Sequence, residues 1–221
     1  MASALDLQEQ EQLDNLKAFW AQWGNLITTV LTLALLAYAG WNAWIWYQRD
    51  QGQKASVLYE NVEQLLEAQQ ADKAAQLLGE MQKQAPKAVY TTQATLLVAN
   101  AMADAAKAQP LLSWAATQGQ PQDLRDLANL RLAGLHLEAK RAAEAELALA
   151  AIQSEAYAAL VADRRGDLAL LAKDSAKAKE QFSKAYLGLD ADLPYRRLVE
   201  AKLMSVGVDP SSLKPAGEAA Q

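Results

Sequence analysis

The sequence predicts an all-α protein in which one N-terminal membrane-spanning helix is followed by a solenoid of helix pairs. Three observations carry this expectation. Residues 18–48 hold no charged side chain. The remainder is built mainly of Ala, Leu, Gln, Lys and Glu, with few β-branched residues and little Gly, which is helix-forming material. Part of it also matches itself at a fixed interval, the one that separates Ala133 from Gly166.

The uncharged stretch contains the run LITTVLTLALLAYAGWNAWIW. A hydrocarbon core of about 30 Å needs roughly 20 apolar helical residues to cross it. Phe19, Trp20 and Trp23 precede the run, and Trp41, Trp44, Trp46 and Tyr47 close it. Trp and Tyr favour the headgroup level because an apolar ring carries one polar edge. From Trp23 to Trp44 is about 32 Å of helix, which matches the membrane. A signal peptide should have a basic leader and a shorter apolar part. Here the leader carries Asp6, Glu9, Glu11 and Asp14 against Lys17, so an uncleaved anchor is expected. Residues 1–23 form a short leading segment with apolar residues at helical spacing, which continues the helix or lies along the membrane surface. Residues 24–47 form the span. Positive-inside counting sets Lys17 against Arg49 and Lys54, which leans toward a cytoplasmic C-terminus.

Residues 48–207 form the soluble helical domain, and 208–221, with Pro210, Pro215 and Gly217, a disordered tail. From residue 48 onward there are 20 basic and 22 acidic side chains, a balance that offers no basic patch for nucleic acid. The absence of Cys excludes disulfides and thiolate metal sites. Ala133, Ala145, Leu149 and Ile152 have counterparts, all displaced by the same interval, at Gly166, Ala178, Phe182 and Ala185. This small-x11-Ala-x3-large-x2-small spacing resembles part of a tetratricopeptide (TPR) motif. The small residue lets two helices cross closely and the bulky one fills the gap between them. A fainter copy is read at Ala99, Leu111 and Ala115. Residues 57–68 and 73–84 form an earlier helix pair, ended by Pro86. The helix around 195–204 is expected to be a polar cap. Turn signals stand at 69–72, 85–86, 119–121 and 173–174. The domain is therefore read as a TPR-like α-solenoid, with an ordinary helical bundle as the alternative.

Several stretches, in this order along a single-span chain, resemble the YfgM family, the ancillary subunits of the SecYEG translocon in Gram-negative bacteria. They are LKAFW at 16–20, GWNAW at 40–44, ASVLYENV at 55–62, NLRLA at 129–133 and YAALVADRRGDLALLAKDSAKAKEQF at 157–182. The resemblance spans about residues 11–204. It implies a single-pass bacterial inner-membrane protein with a cytoplasmic N-terminus and a periplasmic TPR-like domain. This orientation opposes the charge count, and three charges are too few to decide it, so the resemblance is followed. The resemblance also implies partners: SecYEG, the membrane-anchored periplasmic chaperone PpiD, exported client proteins, and the lipid bilayer through the span. The sequence departs from the pattern at Gln109-Pro110, read as the start of a helix with Pro in its first turn.

No catalytic constellation is evident. His136 is the sole histidine, and no Gly-rich phosphate loop or His-x3-His pair occurs. Asp163, Arg164, Arg165 and Asp167 form the densest charge cluster, and a solvated helix face is its ordinary reading. The protein is expected not to be an enzyme and to need no cofactor or metal. First helices of TPR arrays line a concave surface where peptides or partner helices dock. The register places Leu96, Asn100, Leu127, Leu130, Leu137, Leu160, Asp163 and Asp167 near it. With no Lys among them, the expected groove is apolar with acidic edges. A translocon-associated adaptor or chaperone component is the leading function; a structural scaffold of envelope complexes without chaperone role is the alternative.

Overall fold

The computed structural model describes residues 4–213, with side-chain surroundings from residue 11 onward. Among these residues the protein is all α-helical, with two short 3-10 turns and no strand. It divides between Asp50 and Gln51 into two compact units. The first helix, α1, covers Ala4–Glu67.

In the first unit the helix is exposed over nearly all of its apolar stretch, and it is long and apolar enough to cross a membrane. Four of its polar side chains bond its own backbone. The hydroxyls of Thr28, Thr29 and Thr32 donate to the carbonyls of Gly24, Asn25 and Thr28 at 2.8, 2.6 and 2.7 Å. The Asn42 amide donates to the Tyr38 carbonyl at 3.0 Å. In hydrocarbon, where unpaired polar groups are costly, such back-bonding leaves the segment fit for lipid.

The second unit begins with the end of α1 and continues through α2 (Ala71–Gln84), α3 (Val89–Ala101), α4 (Ala105–Gln118), α5 (Gln122–Glu138) and α6 (Ala142–Ala150). After a 3-10 turn (Glu155–Tyr157) come α7 (Ala158–Leu171), α8 (Ser175–Gly188) and α9 (Pro194–Ser205), then a second 3-10 turn (Pro210–Ser212). From α2 onward each helix packs on the next, and the first helices α3, α5 and α7 also touch in series. This is the geometry of a helical-repeat solenoid.

Three of the turns inside the pairs are built alike. Gln69, Lys140 and Lys173 take left-handed φ values of 58°, 56° and 60°. In each, the next backbone N–H reaches back to a carbonyl in the last turn of the helix: Gln70 to Leu65, Arg141 to His136, Asp174 to Ala169, at 2.7–2.8 Å. These are Schellman caps, which satisfy helix carbonyls left open at a C-terminus. Aligning them adds the first pair to the repeat. Val62, Ala74, Leu78 and Met81, all fully buried, stand where Ala133, Ala145, Leu149 and Ile152 stand later.

The second pair corrects the register read from sequence. Its turn has no left-handed residue; Asp104 instead caps α4, accepting from the Ala106 N–H at 2.8 Å. Leu96, Ala108, Leu112 and Ala115 are the buried set at the repeat's spacing; of the expected trio, Ala99 and Ala115 are buried too, but Leu111 is only half-buried and the register shifts to Leu96. The steps between the crossing residues Val62, Leu96, Ala133 and Gly166 are thus unequal, the middle one being the longest. That uneven middle step hides this copy from a fixed-period comparison. Pro110 lies inside α4 rather than in its first turn, because the helix already starts at Ala105.

A fifth repeat is begun and abandoned. Gly207, at φ 77°, closes α9 with the same cap, the Val208 N–H meeting the Leu203 carbonyl at 3.0 Å. The second helix that should follow is reduced to the turn Pro210–Ser212. Pro210 is buried, and Val208 and Leu213 pack on the cluster of Ala169, Phe182, Leu203 and Val206. Packed structure therefore extends through residue 213, beyond the 207 expected from the sequence. The rest of the expected tail, 214–221, lies outside the described residues.

Candidate partner-binding surface

One helical turn after each crossing residue the first helices carry Leu66, Asn100, Leu137, Leu170 and, counting Glu200 as the crossing residue of α9, Met204. Just before the crossing residue, at matching places, stand Arg131 and Arg164 on α5 and α7 and Leu198 on α9. These positions share the face that second helices leave uncovered. An open groove of about 440 Å³ beside that face is lined by Asn100 of α3, Ala105, Ala108 and Leu112 of α4, Arg131, Gly134, Leu135 and Glu138 of α5, and Arg164 of α7.

The two arginines are held by single bonds. Arg131 Nη1 donates to the Leu96 carbonyl at 3.0 Å, and Arg164 Nη1 lies 3.4 Å from Asp167 Oδ2. A guanidinium has five donors in a planar fork, so each keeps donors for a ligand oxygen. From sequence Arg164 is read only as part of a solvated charge cluster and Arg131 is not singled out, although their separation equals the interval of the self-match itself.

The expected binding residues separate into three groups. Asn100 is exposed at the groove, with Leu130 beneath it. Leu96 and Leu130 belong to the hydrophobic core, and Leu127 and Leu160 pack against the same cluster; Leu137 is half-buried. Asp163 has no exposed surface and Asp167 is only partly exposed. Both are turned toward α9, where Lys202 Nζ lies 2.8 Å from an oxygen of each. The Tyr195 hydroxyl donates to Asp163 Oδ2 at 2.6 Å. Burial, then that bond to a carboxylate, pushes the Tyr195 pKa well up, so the phenol stays a donor. The cluster ties α9 to α7. The expected acidic edge is thereby corrected: the charges lining the groove are Arg131, Arg164 and Glu138.

The terminal helix is polar only in part. Glu200 takes the crossing position, and Arg196 lies 4.2 Å over the Tyr186 ring. On the inner positions α9 instead presents Leu198 and Met204, 49% and 59% exposed. Leu170 and Leu171 of α7 are exposed beside this register. The inner surface therefore carries two arginines and Glu138 toward α5, and exposed apolar side chains with Arg197 beside them on α9.

His136 points elsewhere. It is buried between α5 and α6, and its Nδ1 has no hydrogen-bond partner among the described residues. Burial, then the nearby Arg141 charge, lowers its pKa. Among the described residues no group of three or more His, Asp or Glu is arranged to hold a metal ion.

The sequence profile of the tetratricopeptide repeat-like domain matches residues 17–208. Three curated relatives align over most of their length and of this chain, and each is named an ancillary SecYEG translocon subunit. The Neisseria gonorrhoeae protein is 28% identical, covering 92% of this chain and 99% of its own length. The Escherichia coli protein is 27% identical, covering 90% and 97%. The Haemophilus influenzae protein is 25% identical, covering 82% and 90%. No solved structure matches the chain at a significant level.

Proposed function

Because the chain belongs to the tetratricopeptide repeat-like domain family, we propose that it works by holding protein partners on the inner face of its array, as a membrane-anchored adaptor of the SecYEG translocon. The observation that carries this reading is the open groove between α3, α4, α5 and α7, in a chain whose near full-length relatives are named translocon subunits. Among the described residues one helix is long and apolar enough to cross a membrane. In this proposal the anchor sits in a bacterial inner membrane, with the array in the periplasm. There it contacts the translocon, a chaperone such as PpiD, and exported clients. The work is non-enzymatic: the anchor supplies a high local concentration, and the groove supplies selectivity.

A photoreactive amino acid at Asn100 or Glu138, both exposed at the groove, tests this in native membranes. The expected products are crosslinks to translocon or chaperone components. Recovery of other envelope complexes alone would favour the scaffold reading, and recovery of neither would overturn both. Orientation is tested separately with alkaline phosphatase fused after Leu213, which keeps the buried Val206 and Pro210 intact. Phosphatase activity is expected, and fluorescence from a green fluorescent protein at the same junction would reverse the topology.

A further inference from the structure

The inner surface changes character along its length, and this gradient specifies the chemistry of what it holds. We infer that the inner face takes one amphipathic polypeptide segment, acidic at the end over Arg131 and Arg164 and apolar at the end over Leu198 and Met204. This rests on the adaptor reading above and names the partner's chemistry at the same face.

Three observations support it. Arg131 and Arg164 occupy one register position on neighbouring first helices and line one groove, with Glu138 as the opposing charge. Lys202 takes up the charge of one of the two nearby carboxylates, and the long 3.4 Å contact of Arg164 Nη1 with Asp167 Oδ2 engages only one of that guanidinium's five donors, so both arginines keep N–H groups for a ligand carboxylate. At the same register position α9 carries Leu198 in place of an arginine, and Met204 stands in line with Leu170; all three are exposed.

Exposed apolar side chains gathered on one face mark an interaction site. Their place on the uncovered inner positions, with Glu200 and Arg196 on the side a further helix would use, separates them from an unfinished core. Two steps between adjacent helices cover about 20 Å, a length that about 13 helical residues match. A helix laid in a groove, with carboxylates on guanidinium forks and apolar anchors further along, is the corresponding recognition mode.

The test uses the full chain in neutral phosphatidylcholine nanodiscs and fluorescent 14-residue helical peptides read by anisotropy. One peptide carries two Glu at its first turn and a Leu face toward its other end. Its controls exchange Glu for Lys, or Leu for Ser. The Glu peptide is expected to bind at least tenfold tighter than either control. Arg164→Glu is expected to remove the preference for Glu over Lys. Leu198→Ser with Met204→Ser is expected to weaken both charged peptides at least fivefold, with unchanged circular dichroism.

Equal binding of the Glu and Lys peptides, or no binding, overturns the inference. If the Asn100 crosslinks still reach the translocon in that case, the adaptor reading survives without this chemistry. Selective peptide binding with no such crosslink leaves the chemistry standing and removes the translocon as its partner.

Discussion

Gly166 and Phe182 are fitted to each other: a Cβ on Gly166 would fall 2.8 Å from Cζ of the Phe182 ring and closer still to Cδ1 and Cε1. One repeat earlier, Ala133 faces Leu149 at the same two positions. The pair thus exchanges volume between its two helices, a larger wedge against a smaller floor. Gly166→Ala is expected to destabilise the protein by about 1–3 kcal/mol through overpacking. Gly166→Ala with Phe182→Leu copies the preceding repeat, and should regain a large part of the loss in a urea-unfolding double-mutant cycle. Strict additivity would count against this fit.

Asp163 and Lys202 occupy the register positions held by Leu130 and Leu168 between the third and fourth repeats. A buried ion pair is costly to halve and much less costly to replace whole. Lys202→Ala should lower stability by about 3 kcal/mol, because Asp163 is left as an unmatched charge with no exposed surface. Asp163→Leu with Lys202→Leu should recover at least half of that in urea unfolding. Equal loss in the single and double variants would show the cluster is no simple substitute for an apolar contact.

His136 couples stability to acidity. Its folded pKa lies below the ordinary value of about 6.5, so below that pH the unfolded chain binds a proton more readily than the folded one. The contribution is complete above about pH 6.5 and is lost as pH falls through the folded value. The urea midpoint should drop between pH 7.5 and 5.5, and drop less in His136→Leu. The same variant should be more stable at pH 7.5 by about 1 kcal/mol, since it removes a buried Nδ1 without a partner. An unchanged pH slope would exclude His136 as a source.

Lys140 and Lys173 sit in the left-handed region at helix ends where glycine is the unstrained choice. Lys140→Gly or Lys173→Gly should raise stability by about 0.5–1 kcal/mol, measured by thermal unfolding, with no change in peptide binding. Gly207, already glycine in the cap of the fifth repeat, should respond the other way to Ala.

The anchor and the last two full repeats were legible because each is a local pattern. An uncharged apolar run reports its own burial in lipid, and the matched buried positions of α5–α8 keep a constant interval. The first helix of the second repeat was misread by nearly one turn. Its turn is capped by Asp104 rather than by a left-handed residue, and the step from Leu96 to Ala133 is longer than its neighbours. For the binding face the difficulty was different. Leu96 and Leu130 are apolar whether they face a partner or the core, and sequence cannot separate the two. Asp163 looked like a groove edge because Lys202, the charge that buries it, lies far along the chain on α9. Arg131 and Arg164 carried a readable signal, their shared interval, which attention to apolar positions concealed.

Glu200 gives the array a defined end. Every preceding crossing position is Val, Leu, Ala or Gly, and each receives a second-helix face in which an Ala is followed one turn later by a Leu or Phe. A carboxylate there makes the last surface a poor receptor for that face, since docking would strand an unpaired charge. Neighbouring copies crowded by their anchors are thus discouraged from lending each other helices, or from growing into a continuous superhelical fibre. On the adaptor reading proposed above, the surface offered to partners is then bounded within one chain.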